Sequence, residues 1–290
     1  MPAATGPDFM CIGMMKTGTA WLFDQLQFHP DFWMPPIKEM HYLDRGDKIG
    51  RNADDILRAA RESSRRLKRL TQRPLDERDM QFLEEMASHQ SEPLDIGRYA
   101  ALFRHKGDLK SGDVTPHYGS LSRSIIEDVG RQIPNTRAIL LIRDPVARAW
   151  SHLAMRNRFD RFDADLLKDP IGFRAYLEGS NKLRRLSFPT EIVRRWEKHA
   201  PTIPIRFFFF DDIAERPQDA RRNILRFLEA DPDKPSGEIS PDYNRKSAAK
   251  KPELSDDIKA VLVRHFAQEL RDCAALFGGH AKNWALKYGV

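Results

Sequence analysis

The sequence is poor in cysteine, with two in 290 residues: Cys11 in the first apolar run and Cys273 near the end. That excludes a disulfide framework or a cysteine-rich zinc site and fits a reducing setting. Long apolar runs are also missing. No stretch approaches the roughly 18 consecutive apolar residues of a membrane-spanning helix, and the opening MPAATGPDFM has no basic segment followed by an apolar core. A soluble, cytoplasmic protein without a transmembrane segment is expected. Internal repeats and low-complexity tracts are absent, which sets repeat architectures aside. Charge of one sign is barely in excess, 48 Lys and Arg against 42 Asp and Glu, a net +6. The balance favours an anionic ligand or surface and does not imply nucleic acid.

What is present is enough apolar content, 41%, for a substantial core. Apolar runs of strand length occupy Phe9 to Gly13, Ala138 to Ile142 and Ile205 to Phe210, each followed by turn or cap residues and a helical pattern. This βα alternation predicts an α/β fold with a central, mostly parallel sheet flanked by helices. Residues 1–290 are read as a single domain carrying a charged helical insertion at about 48–105. Within it, Asn52 to Met86 reads as two helices broken at Pro74, too polar to supply a core element. From about Ser255, Ile258, Val261, Leu262, Phe266 and Leu270 recur at helical spacing and predict a helix packed back on the sheet.

The stretch CIGMMKTGTAW, residues 11 to 21, is a strand, a glycine-bearing loop and a helix start. Such a turn aims backbone N–H groups and the helix dipole at one point, where an anion can sit. Gly13 and Gly18 permit close approach, Thr17 and Thr19 add hydroxyls, and Lys16 adds a point charge. The ATP-binding pattern GxxxxGK[ST] is not met, because Thr19 follows Gly18 and the lysine lies upstream at Lys16. A second stretch, AILLIRDPVARAWSH, ends a strand in Arg143, Asp144 and Pro145. Asp144 reads as a helix N-cap and Pro145 as the first helical residue. Arg143 lies at a strand C-terminus, where open α/β sheets bind ligands, and Ser151 returns to the same side two turns later. Guanidinium and hydroxyl together suit a second phosphate.

KTGTAW after the first strand, paired with RDPVARAWSH after a later one, resembles the 3′-phosphoadenylyl-sulfate (PAPS) dependent sulfotransferases. HPDFWMPPIKEMHYLD, SGDVTPHY, RFFFFDDI and NRKSAAKKPELS follow in that family's order. The resemblance is to bacterial-type members of the glycan or carbohydrate branch. It implies a P-loop-like three-layer fold, PAPS as co-substrate, PAP as product and no metal. It places the 5′-phosphosulfate on Lys16, Thr17, Gly18 and Thr19 and the 3′-phosphate on Arg143 and Ser151, with Ala20 and Trp21 counted among the cofactor-binding residues. Met15 and Ala20 stand where the cytosolic branch has proline and a second threonine, so one hydroxyl contact is missing. Val114 stands where the glycan branch often has lysine, which weakens assignment to heparan-type substrates.

Transfer of a sulfuryl group needs a base for the acceptor, a stabiliser for the leaving oxygen and in-line positioning. Lys16 suits the leaving oxygen. KEMHYLD offers Glu39 and His41 for the base, and the resemblance favours Glu39 with His41 auxiliary; an ordinary glutamate is a weak base, so burial or a neighbour is expected to raise its pKa. Trp21 is either an adenine-stacking surface by resemblance or a core residue. Arg245, Lys246, Lys250 and Lys251 either close over the 3′-phosphate or form a solvated charge run. His117 and Tyr118 are read as lining the acceptor cleft along with His41. The acceptor, a small molecule or a glycan or lipid-linked group, is left open by the sequence, as is the oligomeric state. A P-loop kinase and a non-catalytic polyanion-binding module are the competing readings.

Overall fold

A computed structural model describes residues 6–45, 55–58, 75–89, 92–237, 239–243 and 253–290. Four strands, β1 (Phe9–Gly13), β2 (Gly112–Val114), β3 (Arg137–Ile142) and β4 (Ile205–Phe209), form one all-parallel sheet in the order β2-β1-β3-β4. Side chains alternate across it with the period of two that a strand imposes. Phe9, Cys11, Ile139, Leu141 and Phe208 enter one buried cluster, while Met10, Ile12, Leu140, Ile142 and Phe209 enter another. Both faces are therefore covered, as a parallel sheet requires.

The first cluster is closed by α1 (Thr19–Gln27), through Trp21, Leu22 and Leu26, with apolar residues of a later helix over Pro217–Phe227. The second face carries α2 (Glu77–His89), α3 (Ile96–Ala101), α4 (Arg123–Gln132), α5 (Pro145–Arg158), α6 (Pro170–Gly179), a short α7 (Asn181–Arg185) and α8 (Pro189–His199). After β4 come α9 (Phe210–Glu215), α10 (the Pro217–Phe227 helix), α11 (Asp256–Phe277) and α12 (His280–Tyr288). The tail helix begins as the sequence reading expects: Ser255 Oγ accepts from Ile258 N–H, and Ile258, Leu262, Phe266 and Leu270 are buried.

Three readings need correction. The segment taken as too polar for the core buries Ile56, Phe82, Leu83 and Met86 completely or nearly so; a narrow apolar stripe is enough for a charged helix to pack. β2 lies where no strand was predicted, because three residues cannot display a periodicity. Its Gly112 is required sterically, since a Cβ there would sit 2.3 Å from the Phe9 ring. Phe210, read as strand, begins α9 instead.

Glu269 of α11 is buried and accepts from the Thr190 N–H (3.0 Å) and hydroxyl (2.8 Å) at the start of α8. Burial, only partly offset by these bonds, pushes its pKa from the ordinary 4.5 up to about 7. The folded state then holds a proton that the unfolded state has lost, so stability is full below about pH 4.5 and declines as pH rises through 7. Glu269→Gln is expected to flatten this slope, worth on the order of 1–3 kcal/mol, in urea denaturation between pH 5 and 8. An unchanged slope would refute the assignment.

Candidate active site

The C-terminal ends of all four strands open on one edge of the sheet, where ligands bind in open α/β folds. The loop after β1 carries Lys16 in the left-handed region (φ 69) and Gly18 (φ 95) as N-cap of α1. No side chain caps that helix and no acidic residue lies in its first turn, so its first N–H groups and dipole face outward unopposed. A Cβ on Gly18 would come within 3.3 Å of both Phe210 and Ile213, so α9 packs closely against the loop. Thr17 is fully buried and donates its hydroxyl to Met14 O (2.6 Å). That hydroxyl fastens the loop, which corrects its reading as a ligand donor. Thr19 is buried and Ala20 half-buried at the start of α1.

The loop after β3 is tied to the first. Arg143 Nη1 donates to Lys16 O (3.1 Å), and its guanidinium carbon sits 4.4 Å over the Phe210 ring. Asp144 caps α5 as expected, accepting from Val146 N–H (2.9 Å) and Ala147 N–H (3.2 Å). Its second oxygen accepts from the Tyr288 hydroxyl (2.7 Å), so α12 braces this loop. Ser151 lies buried two turns along α5, one turn beyond Arg148 on the same face, and His152, a turn after Arg148, is buried too. Arg148 is completely buried; it donates to Ser187 Oγ, while its Nε and Nη1 have no partner. Burial and the nearby Arg143 charge bring its pKa down to about 9. Burial, then Arg148, Arg156 and Lys16, lower His152 to about 3, so it is neutral.

The third element is the segment after Ile37. Glu39 (φ 63) and His41 (φ 53) both adopt left-handed backbone, which turns successive polar side chains toward one point. Lys38 Nζ lies 2.8 Å from Glu39 Oε1, Glu39 Oε2 3.5 Å from His41 Nε2, and His41 Nδ1 2.8 Å from Asp44 Oδ2. Burial disfavours charge on this pair, but the carboxylates outweigh it at His41, raising the imidazole to about 9. At Glu39 burial pushes upward, yet His41 and Lys38 together hold the carboxyl well below the usual range. The expected rise is therefore corrected: the neighbours favour the ionised carboxylate at Glu39 and the protonated ring at His41.

Beneath this segment lies Asp113 of β2, fully buried, which accepts from the hydroxyls of Thr115 (2.6 Å), Tyr118 (2.6 Å) and Tyr99 (3.2 Å). Tyr118 in turn accepts from the N–H of Tyr42 (3.2 Å) and Leu43 (3.3 Å). Tyr118 is wholly buried in this network and lines no cleft, which corrects its reading as an acceptor contact. His117 is half-buried with its ring 5.0 Å from that of His41. Trp21 is 1% exposed in the core cluster and donates its indole N–H to Pro241 O (2.6 Å); of its two readings, the structure places it in the core. Arg245, Lys246, Lys250 and Lys251 lie outside the described residues.

Lys16, Arg143 and Ser151 thus lie at the C-terminal edge of the sheet, with Glu39 and His41 on a neighbouring segment and His117, from the turn after β2, packed against His41. Lys38 and Asp44, which set the charge of the Glu39–His41 pair, were not singled out from sequence, although the His41–Asp44 spacing of three was visible. Phe210, Arg148 and Asp113 left no recognisable signal.

The profile of the sulfotransferase family matches residues 7–234, which include all three elements. The chain belongs to the sulfotransferase family. Its fold is similar to that of the crystal structure of a sulfotransferase from Alicyclobacillus acidocaldarius, with a TM-score of 0.65 at 19% identity, covering 96% of this chain and 98% of that one. It is also similar to the sulfotransferase domain from the curacin biosynthetic pathway, with a TM-score of 0.50 at 12% identity, covering 89% and 97%. No curated protein sequence matches. At these identities the likeness carries the fold, an α/β sheet between helical layers. Among the described residues of this sulfotransferase, no helix is long and apolar enough to cross a membrane.

Proposed function

We propose that this sulfotransferase uses PAPS as donor and moves its sulfuryl group to a hydroxyl or amine of a small-molecule, glycan or lipid-linked acceptor. The observation that carries the reading is the pairing of the two anion-seeking loops. An uncapped helix start behind Lys16 is fastened to Arg143, and Ser151 lies on the helix beyond. The donor's residues fit the place: Arg148 keeps two unpartnered guanidinium nitrogens in the same region, and a buried cation without a counter-ion favours a polyanion nearby.

PAPS, when bound, supplies a sulfuryl group on a good leaving phosphate. Lys16 and the first N–H groups of α1 would hold the 5′ end and balance charge on the departing oxygen. Arg143, flattened on Phe210 and pinned to Lys16 O, would present its remaining N–H groups to the 3′-phosphate together with Ser151. His41 already carries a proton between Asp44 and Glu39, so the free base of the segment is the Glu39 carboxylate. A weakly basic carboxylate suffices when the proton leaves late, because the attacking oxygen becomes strongly acidic as its bond to sulfur forms. Asp144, the strand-end carboxylate a kinase would turn toward Mg²⁺, is committed to capping α5 and to Tyr288.

Titration calorimetry of PAP, beside ADP as the analogue lacking the 3′-phosphate, tests the reading. We expect micromolar PAP binding without Mg²⁺, at least tenfold weaker ADP binding, and loss of that preference in Arg143→Ala. Equal affinity for both nucleotides, or a requirement for Mg²⁺, would overturn it.

A further inference from the structure

The turn that carries Glu39 and His41 does more than place a base. Among the described residues, one group of ligand-type side chains is spaced to close on a single ion. The Glu39 carboxylate and one ring nitrogen each of His41 and His117 all lie within 4.8 Å of one another. From these distances we infer that Glu39, His41 and His117 form a Zn²⁺ site.

Three features of the cluster fit zinc. Glu39 Oε2 and His41 Nε2 are 3.5 Å apart, close to the edge of about 3.3 Å between ligands of a tetrahedral ion bonded at about 2.0–2.1 Å. His41 Nδ1 donates to Asp44 Oδ2 at 2.8 Å, so Nε2 is the nitrogen presented to the ion, which displaces its proton to solvent, in the carboxylate–histidine–metal arrangement that orients a ligating imidazole. Lys38 occupies Glu39 Oε1 at 2.8 Å and leaves Oε2 as the ligand atom. The His117 ring lies against that of His41, centroids 5.0 Å apart, and offers the third ligand nitrogen. All three side chains are half-buried. Two imidazoles with one carboxylate is a donor set for zinc and not for Mg²⁺ or Ca²⁺, which take oxygen ligands, and three protein ligands leave a fourth position for water.

The site follows from geometry alone; its consequence rests on the proposed role of Glu39. An ion on Oε2 occupies the oxygen meant to take the acceptor's proton, so zinc acts as a reversible inhibitor and a chelator restores activity.

The test is calorimetric titration of ZnCl₂ into the chelator-stripped full chain, with each variant's thermal unfolding recorded to verify folding. One site of about micromolar affinity is expected. Glu39→Gln and His117→Gln are each expected to weaken it at least tenfold, and Asp44→Asn, which touches only the outer shell, about 10- to 100-fold. His105→Gln, which removes the separate His105–Glu85 pair (2.7 Å), serves as control and should leave the affinity unchanged. Absence of saturable binding to the wild type, or wild-type affinity in both Glu39→Gln and His117→Gln, would overturn the site. Because PAP binding is measured separately, failure of the donor reading would appear there and leave the zinc result standing.

Discussion

Glu39→Gln is expected to lower kcat by about two to four orders of magnitude, the range a positioned general base contributes, with PAP affinity unchanged within a factor of about two. The size of the effect follows from the charges around it. In the metal-free protein Asp44 on one nitrogen and Glu39 on the other favour the protonated imidazole of His41, which leaves the carboxylate as the better proton acceptor of the two. Glutamine preserves the shape and keeps an oxygen for His41, but it cannot take a proton. Glu39→Asp should recover part of the loss, because it retains the carboxylate while withdrawing it by one methylene. The measurement is single-turnover transfer from radiolabelled PAPS to whichever acceptor emerges from a screen of phenols, sugars and amines. A kcat within tenfold of wild type in Glu39→Gln would remove this residue from the chemistry.

Asp113→Ala is expected to cost roughly 3–6 kcal/mol of folding stability, a large part of the 5–15 kcal/mol that typically holds a domain together. Three buried hydroxyls, those of Tyr99, Thr115 and Tyr118, lose their acceptor at once, and each orphaned donor is penalised by about 1–3 kcal/mol. The damage reaches the chemistry through the backbone. Tyr118 holds the N–H groups of Tyr42 and Leu43, and Thr115 Oγ1 faces that of His41 at 3.5 Å, so the turn bearing Glu39 rests on this single carboxylate. Asp113→Asn keeps the volume and should fold. We expect it to lower kcat about tenfold or more while PAP affinity stays near wild type, a split that a merely global loosening would not produce. Burial also raises the Asp113 pKa from 3.8 to about 6, so the part of the stability tied to its proton is complete below about pH 3.8 and is lost as pH rises through 6, while the three hydroxyl bonds persist. Asp113→Asn removes that dependence. Denaturation of both variants at pH 5 and 8 checks the energetics; an alanine variant as stable as wild type would refute the network's role.

The parts of this molecule legible from sequence were those with a local cause. Runs such as AILLI at β3 announce a buried parallel strand, Asp144 before Pro145 announces a helix start, and the spacing of Ile258, Leu262 and Phe266 announces a packed helix. The loop at Lys16 and the residue Arg143 could be singled out because strand, turn chemistry and charge coincide within a few residues. What escaped depends on folding-back of the chain. The buried residues of α2 were diluted among charges, and β2 was too short to show alternation. The low pKa of Glu39 was unreadable because it arises from positive φ values at Glu39 and His41, which aim Lys38, His41 and Asp44 inward. No residue type at those positions demands that conformation. Tyr118 was misread for a similar reason: a tyrosine beside a turn looks exposed until Asp113 is found across from its hydroxyl.

The strand order has a consequence for synthesis. β1 is central, with β2 and β3 as its neighbours, and those partners begin only at Gly112 and Arg137. A ribosome adding about 5–20 residues per second leaves the apolar FMCIG segment unpaired for roughly 5–25 s. The Lys16 loop at the end of β1 can therefore be shaped only after β3, which begins at Arg137, has emerged. Truncated nascent chains ending before β3 are expected to aggregate, because they expose the apolar FMCIG segment without its partner strands.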